Sequence, residues 1–312
     1  MTQNTASDTA KTTSVAAVGP HDSLKSGTHD QFVIAQTSDE QATIQDTIGG
    51  RNGDQTVSGL QHIVFADGTG VFDPTGKAED VTRLYQAAFN RTPDLAGLDS
   101  NVQRVTSAAI SLSTLASSFA QSPEFVSLNG PLDNSGFVEQ LYNNVFQRAP
   151  DAAGNQLWLN FLNNGGSRGE VLGDFADSLE NRKQSLSIAG DKNDAEATRL
   201  YQAALSRAPD DRGLDNFSTA LAHGATPEQI AQGFVDSTEF AQKYGALSSS
   251  DFVTQLYANV LHRTPDAPGL QNFVNALNNG ASREQVLVGF SDSTENRVNT
   301  APLTHDAWVF IK

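Results

Sequence analysis

The sequence has no cysteine, which excludes disulfides, thiolate metal sites and thiol catalysis. No apolar run approaches the roughly 18 residues that would mark a membrane span, so membrane insertion is not expected. Residues 1–20 carry Lys11 but no apolar stretch fit for a secretory signal. Positive charge is scarce: 20 Lys and Arg stand against 36 Asp and Glu, for a net charge of -16. Such a surface is repelled by nucleic acid phosphates and by anionic lipid, and neither is an expected partner. The six histidines, His21, His29, His62, His223, His262 and His305, form no His-x-x-x-His or His-x-x-Glu pair, so no zinc-type cluster is written in the sequence. Gly-x-Ser-x-Gly, the P-loop and the dinucleotide fingerprint are all missing. A noncatalytic protein is the expectation.

What is present is a block that occurs four times. It reads Arg-Leu-Tyr-Gln-Ala-Ala-Phe-Asn-Arg-Thr-Pro-Asp at 83–94 and returns at 140–151, 199–210 and 255–266. Its tyrosines, Tyr85, Tyr142, Tyr201 and Tyr257, are 57, 59 and 56 residues apart. A period of this size marks an array of small modules, at about 78–130, 135–185, 196–245 and 250–299. Four helices are predicted in each. The first carries the tyrosine on an apolar stripe, as in Phe137, Val138, Leu141, Tyr142, Val145 and Phe146. Pro93, Pro150, Pro209 and Pro265 end it. The second opens at the following aspartate and is expected to bury Leu157, Trp158, Phe161 and Leu162 in module two, and Leu270, Phe273, Val274 and Leu277 in module four. The third opens with capping signals such as Thr226-Pro227-Glu228-Gln229; module one departs from them with Ser111-Leu112-Ser113-Thr114. A Ser-x-Glu starts the fourth, with serine as the cap and glutamate in the first turn.

The copies alternate. Modules one and three share Arg-Leu-Tyr-Gln-Ala-Ala, whereas two and four share Gln-Leu-Tyr and end in Glu-Asn-Arg at 180–182 and 295–297. The larger unit is therefore a pair, with 190–194 as the linker between two globules related flexibly or by pseudosymmetry. Ahead of the array, short β-prone runs such as Phe32-Val33-Ile34 and Ile63-Val64-Phe65 alternate with glycine turns. The predicted fold is mainly α: four tandem helical modules in two pairs, 78–185 and 196–299. A disordered segment at 1–28 and a small antiparallel β unit at 29–77 precede them, and an apolar tail at 300–312 follows.

The pattern Leu-Tyr-x-x-x-Φ-x-Arg-x-Pro-Asp-x-x-Gly, then Gly-x-Ser/Thr-x-Glu/Gln, then Phe-x-x-Ser-x-Glu resembles the DUF4214 domain in all four copies. That family is distantly similar to the helical phycobilisome linker domains, and no activity is established for it as a class. The stretch from Thr43 to Thr69 resembles the β segment of bacterial hemolysin-type (RTX-like) exported proteins. Those are acidic and cysteine-poor, and type I systems read their uncleaved C-terminal signals. The resemblance implies export without an N-terminal signal. The apolar terminus Asp306-Ala307-Trp308-Val309-Phe310-Ile311-Lys312 fits that route, or else a last strand packed on the β unit.

Four sets of residues invite a functional reading. Arg91, Arg148, Arg207 and Arg263 are either anion or glycan contacts, or cations at helix C-termini paired with the Ser-x-Glu carboxylates. Asp94, Asp151, Asp210 and Asp266 are calcium ligands or helix caps. Capping is the better account, because a calcium loop needs several oxygens and only Asp211 adds a second carboxylate. Asn52 and Asp54, in Gly49-Gly50-Arg51-Asn52-Gly53-Asp54, are weak calcium candidates against a plain hairpin turn. The aromatic stripes are core. The leading expectation is an extracellular or surface-associated adhesion module whose partner is a protein or a cell-surface glycan. The alternatives are a cytoplasmic scaffold of linker type and a polysaccharide-acting enzyme.

Overall fold

The computed structural model describes residues 22–38, 41–48, 54–73, 75–186, 190–304 and 308–312. Each module contributes four helices. The first pair contains α1 (Lys77–Phe89), α2 (Leu95–Thr106), α3 (Leu112–Ala120), α4 (Pro123–Asn129), α5 (Asn134–Leu141), α6 (Ala152–Asn163), α7 (Arg168–Asp177) and α8 (Leu179–Ser185). The second contains α9 (Lys192–Leu205), α10 (Asp211–Ala222), α11 (Pro227–Val235), α12 (Thr238–Tyr244), α13 (Ser249–Val260), α14 (Ala267–Asn278), α15 (Arg283–Ser291) and α16 (Thr294–Thr304). A π-helical turn, Tyr142–Phe146, continues α5.

The caps explain the boundaries. Asp94, Asp151, Asp210 and Asp266 each accept from the glycine N–H three residues on, at 2.8–3.0 Å. Capping boxes open α7, α11 and α15. In module one Ser111 still accepts from the Thr114 N–H at 3.0 Å, with threonine in place of the glutamate or glutamine. Serines 122, 178, 237 and 293 cap α4, α8, α12 and α16.

Within a pair, the two modules share one core. The first helices sit inside it, with Leu84, Ala87, Ala88, Leu141, Leu200, Ala203, Ala204 and Leu256 wholly buried. Helix α7 lies against α1 and α3, and α15 against α9 and α11. The two helical cores are separate clusters, one per pair. The second helices differ from expectation. Leu162 is buried, but Leu157 is 61% exposed and Phe161 38% exposed, and α14 has no fully buried residue. These helices lie on the outside, so their apolar residues cover the core edge instead of filling it.

The β unit is two small sheets, and it is not wholly antiparallel. Strands β2 (Phe32–Ser38), β3 (Gln41–Asp46) and β4 (Gln55–Ser58) form an antiparallel meander. The other sheet runs β1 (Asp22–Leu24), β5 (His62–Val64), β6 (Thr69–Phe72), β7 (Trp308–Ile311), with β1 parallel to β5. Strand β1 thus lies inside the segment read as disordered; residues 1–21 lie outside the described residues. The C-terminal tail is the strand β7, pairing Phe72 with Trp308 and Gly70 with Phe310. Its alternation serves two cores. Trp308 and Phe310 join the β core, while Val309 and Ile311 join the first helical core. Helix α16 runs on through Pro302 beyond the expected limit at 299 and packs on β2. Among the described residues no helix is long and apolar enough to cross a membrane.

Candidate functional site

The repeated residues form one constellation per module. The chain leaves the first helix through a residue with positive φ: Asn90, Gln147, Ser206 or His262, at 51–54°. That reversal carries the next residue, the repeated arginine, back over its own helix. Arg91, Arg148, Arg207 and Arg263 lie 4.8–5.3 Å from the ring centres of Tyr85, Tyr142, Tyr201 and Tyr257. Each guanidinium also reaches the Ser-x-Glu glutamate of its module. Arg91 Nη2 meets Glu124 at 2.8 Å. The other three hold Glu180, Glu239 and Glu295 with two hydrogen bonds each, at 2.6–3.2 Å. These bonds hold the carboxyls of Glu239 and Glu295 below their ordinary range. Glycine N–H donors do the same for Asp151 and Asp266.

The tyrosine hydroxyls explain the glycine of Pro-Asp-x-x-Gly. A Cβ on Gly154, Gly213 or Gly269 would lie 1.9–2.2 Å from the hydroxyl of Tyr142, Tyr201 or Tyr257, and one on Gly97 would lie 2.9 Å from that of Tyr85. Tyrosine, arginine, aspartate and glutamate therefore bind the first, second and fourth helices of one module together. The constellations do not gather around a common cavity.

A different set of charged residues converges between the pairs. Arg83, on α1, is 1% exposed, and its Nη2 lies 2.7 Å from Asp80, 3.1 Å from Asp191 and 3.7 Å from Asp177. Its Nη1 donates to the Gly190 carbonyl at 3.2 Å. Arg182, on α8, holds Asp194 at 2.9 Å and Asp215 at 3.2 Å, and Lys183 holds Asp211 at 2.7 Å. Thus the linker between the two pairs is clasped by arginines of the first pair. A cleft of about 430 Å³ opens beside it, lined by Lys77, Asp80, Asp177, Arg182, Asp191 and Lys192 among others. Although much of its side chain faces this cleft, Asp177 is crowded by protein and by Asp80 and Asp191. That pushes its carboxyl up to about 6, against the pull of Arg83. Nearby, burial keeps Glu79 far above the usual carboxylate range, and neither of its oxygens has a hydrogen-bond partner.

Oxygens of Asp80, Asp177 and Asp191 lie within 4.8 Å of one another, a grouping with the donors for a hard cation. Arg83 already occupies the place where such a cation would sit, so the residues present do not call for a metal. Asp54 is exposed, just ahead of β4, and Asn52 lies outside the described residues.

Sequence reading found the four constellations and missed the junction. A signal was there: Arg83 and Arg199 belong to the block shared by modules one and three, Arg182 and Arg297 to the Glu-Asn-Arg of two and four. In the second pair Arg199 reaches Asp292 at 3.7 Å and Arg297 reaches it at 3.1 Å. The alternation between copies records how odd modules pack on even ones.

Comparison with known proteins gives one match of the same period. The family model described as a domain of unknown function (DUF4214) matches residues 74–129, 116–185, 191–242 and 231–300. No curated protein matches the chain.

Proposed function

The chain belongs to the DUF4214 family, and from that premise we propose that it is a noncatalytic interaction module. Its bacterial producer exports it, and it acts outside the cell or on the cell surface, adhering to a protein or to a surface glycan. One observation carries this reading. The polar residues repeated in all four modules are spent on holding each module together, which leaves the outward second helices as the repeated free surface. On α6 and α14 that surface bears neutral amide rows, with Gln156 bonded to Asn160 and Gln271 to Asn275 at 2.7 Å. Amides both donate and accept, as binding to hydroxyl-rich or peptide surfaces requires.

Fractionation of the producing cells tests export: the protein is expected in the medium or on the surface, and full retention in the lysate overturns the proposal. Truncating the tail would confuse export with folding, because β7 belongs to two cores. Residues 300–312 grafted onto an unrelated soluble carrier separate the two. Adhesion is tested by binding of the purified chain to the producer's surface.

A second reading is favoured by the cleft. Asp177, near pH 6 in its titration and beside two further carboxylates, has the makings of an acid-base pair on a polysaccharide. Hydrolysis of a polysaccharide by the native chain, lost in Asp177→Asn, would establish it; equal rates would remove it.

A further inference from the structure

We propose that the second helical pair holds a binding cavity for a neutral sugar unit, a proposal that rests on the adhesive reading above and gives it a site. The cavity measures about 520 Å³ and lies where the ends of α9 and α13 meet α16. That size is within the range of small-ligand sites. Its lining is unlike the rest of this acidic chain, for it contains no carboxylate. Four amide side chains face it: Gln202, Asn259, Asn296 and Asn299. Ser206 and Thr300 add hydroxyls, and Val260 and Leu303 add apolar surface.

The commitments of these groups decide the ligand. Asn296 donates to the Ser291 carbonyl at 2.7 Å, and Asn259 donates to the Tyr244 hydroxyl at 2.8 Å. These bonds fix both amides in place. Among the described residues, Gln202, Asn299 and His262 make no side-chain hydrogen bond, so their donors and acceptors are free for a ligand. The one guanidinium in the lining, Arg207, is already neutralised by Glu239. Without a free fixed charge, the cavity suits a ligand with many hydroxyls and no net charge. Sugar hydroxyls, each both donor and acceptor, match amides of this kind.

The first pair supplies an internal control. The corresponding positions keep the amides, as Gln86, Asn144 and Asn181. However, Thr92 and Asn143 stand where the second pair has Ala208 and Ala258. In the first pair Asn144 turns to the Ala87 carbonyl at 3.1 Å, and the Gln86 side-chain oxygen is buried without a partner. At these two places the second pair carries smaller side chains than the first.

The test is a side-chain amide NMR titration of the full chain with methyl β-D-glucopyranoside, N-acetylglucosamine and, as a charged comparison, glucuronate. The expected result is saturable shifts of the Gln202, Asn259 and Asn299 amides at millimolar neutral sugar, with glucuronate weaker. Ala258→Asn installs the residue that the first pair already tolerates. It should weaken binding at least roughly tenfold with unchanged melting, and Asn299→Ala should weaken it too. No shift with either neutral sugar, or equal shifts in Ala258→Asn, overturns the proposal. If the chain still adheres to cells while the titration is silent, the cavity is refuted and the adhesive reading stands.

Discussion

At the scale of single residues, the repeat is a set of close contacts that tolerate little change. Tyr201 is buried beneath Arg207 and stands edge-on to Phe234 at 4.7 Å, so its hydroxyl has nowhere to retreat from an added methyl. Gly213→Ala should therefore destabilise the second pair by about 1–3 kcal/mol, measured by denaturant unfolding. Pairing it with Tyr201→Phe should recover part of the loss, because the oxygen that clashes is gone. Gly97→Ala, with a hydroxyl 2.9 Å away, should cost less. The residue before each arginine gives the opposite case. Gln147 is exposed and held at φ 53°, where a side chain is strained and glycine is not. Gln147→Gly should raise stability by up to about 1 kcal/mol, seen as a higher denaturant midpoint at unchanged m-value.

Between elements, what matters is how closely two modules approach. Gly169, near the start of α7, faces α3 so tightly that a Cβ would lie 2.6 Å from the Ser117 Cα. Gly169→Ala must push the helices apart, since backbone cannot turn aside as a flexible side chain can. Loss of about 1–3 kcal/mol confined to the first pair is expected, so unfolding should split into two steps, the earlier one reporting Trp158. This approach was not legible in the sequence, where Glu284 holds the corresponding place in the second pair. What was legible is local. Caps, proline stops and the tyrosine stripe act within a few residues, and each was placed from spacing alone. The exposure of Leu157 and Phe161 was not, because a 3.6-residue stripe shows which side faces inward but not how much protein covers it. The partner of the C-terminal strand was equally hidden. Alternation in Trp308-Val309-Phe310-Ile311 marks a strand, yet its pairing with β6 spans more than two hundred residues of chain.

For the whole molecule, the decisive feature is the charged joint between the pairs. At this joint the carboxyls of Asp177 and Asp194 are raised by burial, with neighbouring acids adding to the effect; Glu196, beside Asp292 within the second pair, is raised in the same way. Raised acids bind protons more readily folded than unfolded. For Asp177 the penalty is full above about pH 6, fades as pH falls through that value, and is gone below the ordinary carboxylate range; the other raised acids act in the same sense. The surface acids held low by arginines or caps act in the reverse sense, giving stability above their ordinary pKa that is lost only in stronger acid. Melting temperature should therefore rise from pH 7 to pH 5 and fall again below about pH 4, and Asp177→Asn should flatten part of the rise. Arg83 tests the same joint from the other side. It is the buried cation around which Asp80, Asp177 and Asp191 are arranged, and Arg83→Leu would leave three carboxylates facing one another without it. The variant should lose about 3–5 kcal/mol, the usual cost of stranding a buried charge. It should also acquire a calcium-dependent melting temperature that the native joint lacks, because a divalent ion can then take the guanidinium's place among three hard oxygen donors. Equal responses of native and variant chains to calcium would mean that Arg83 does not stand in for a cation there.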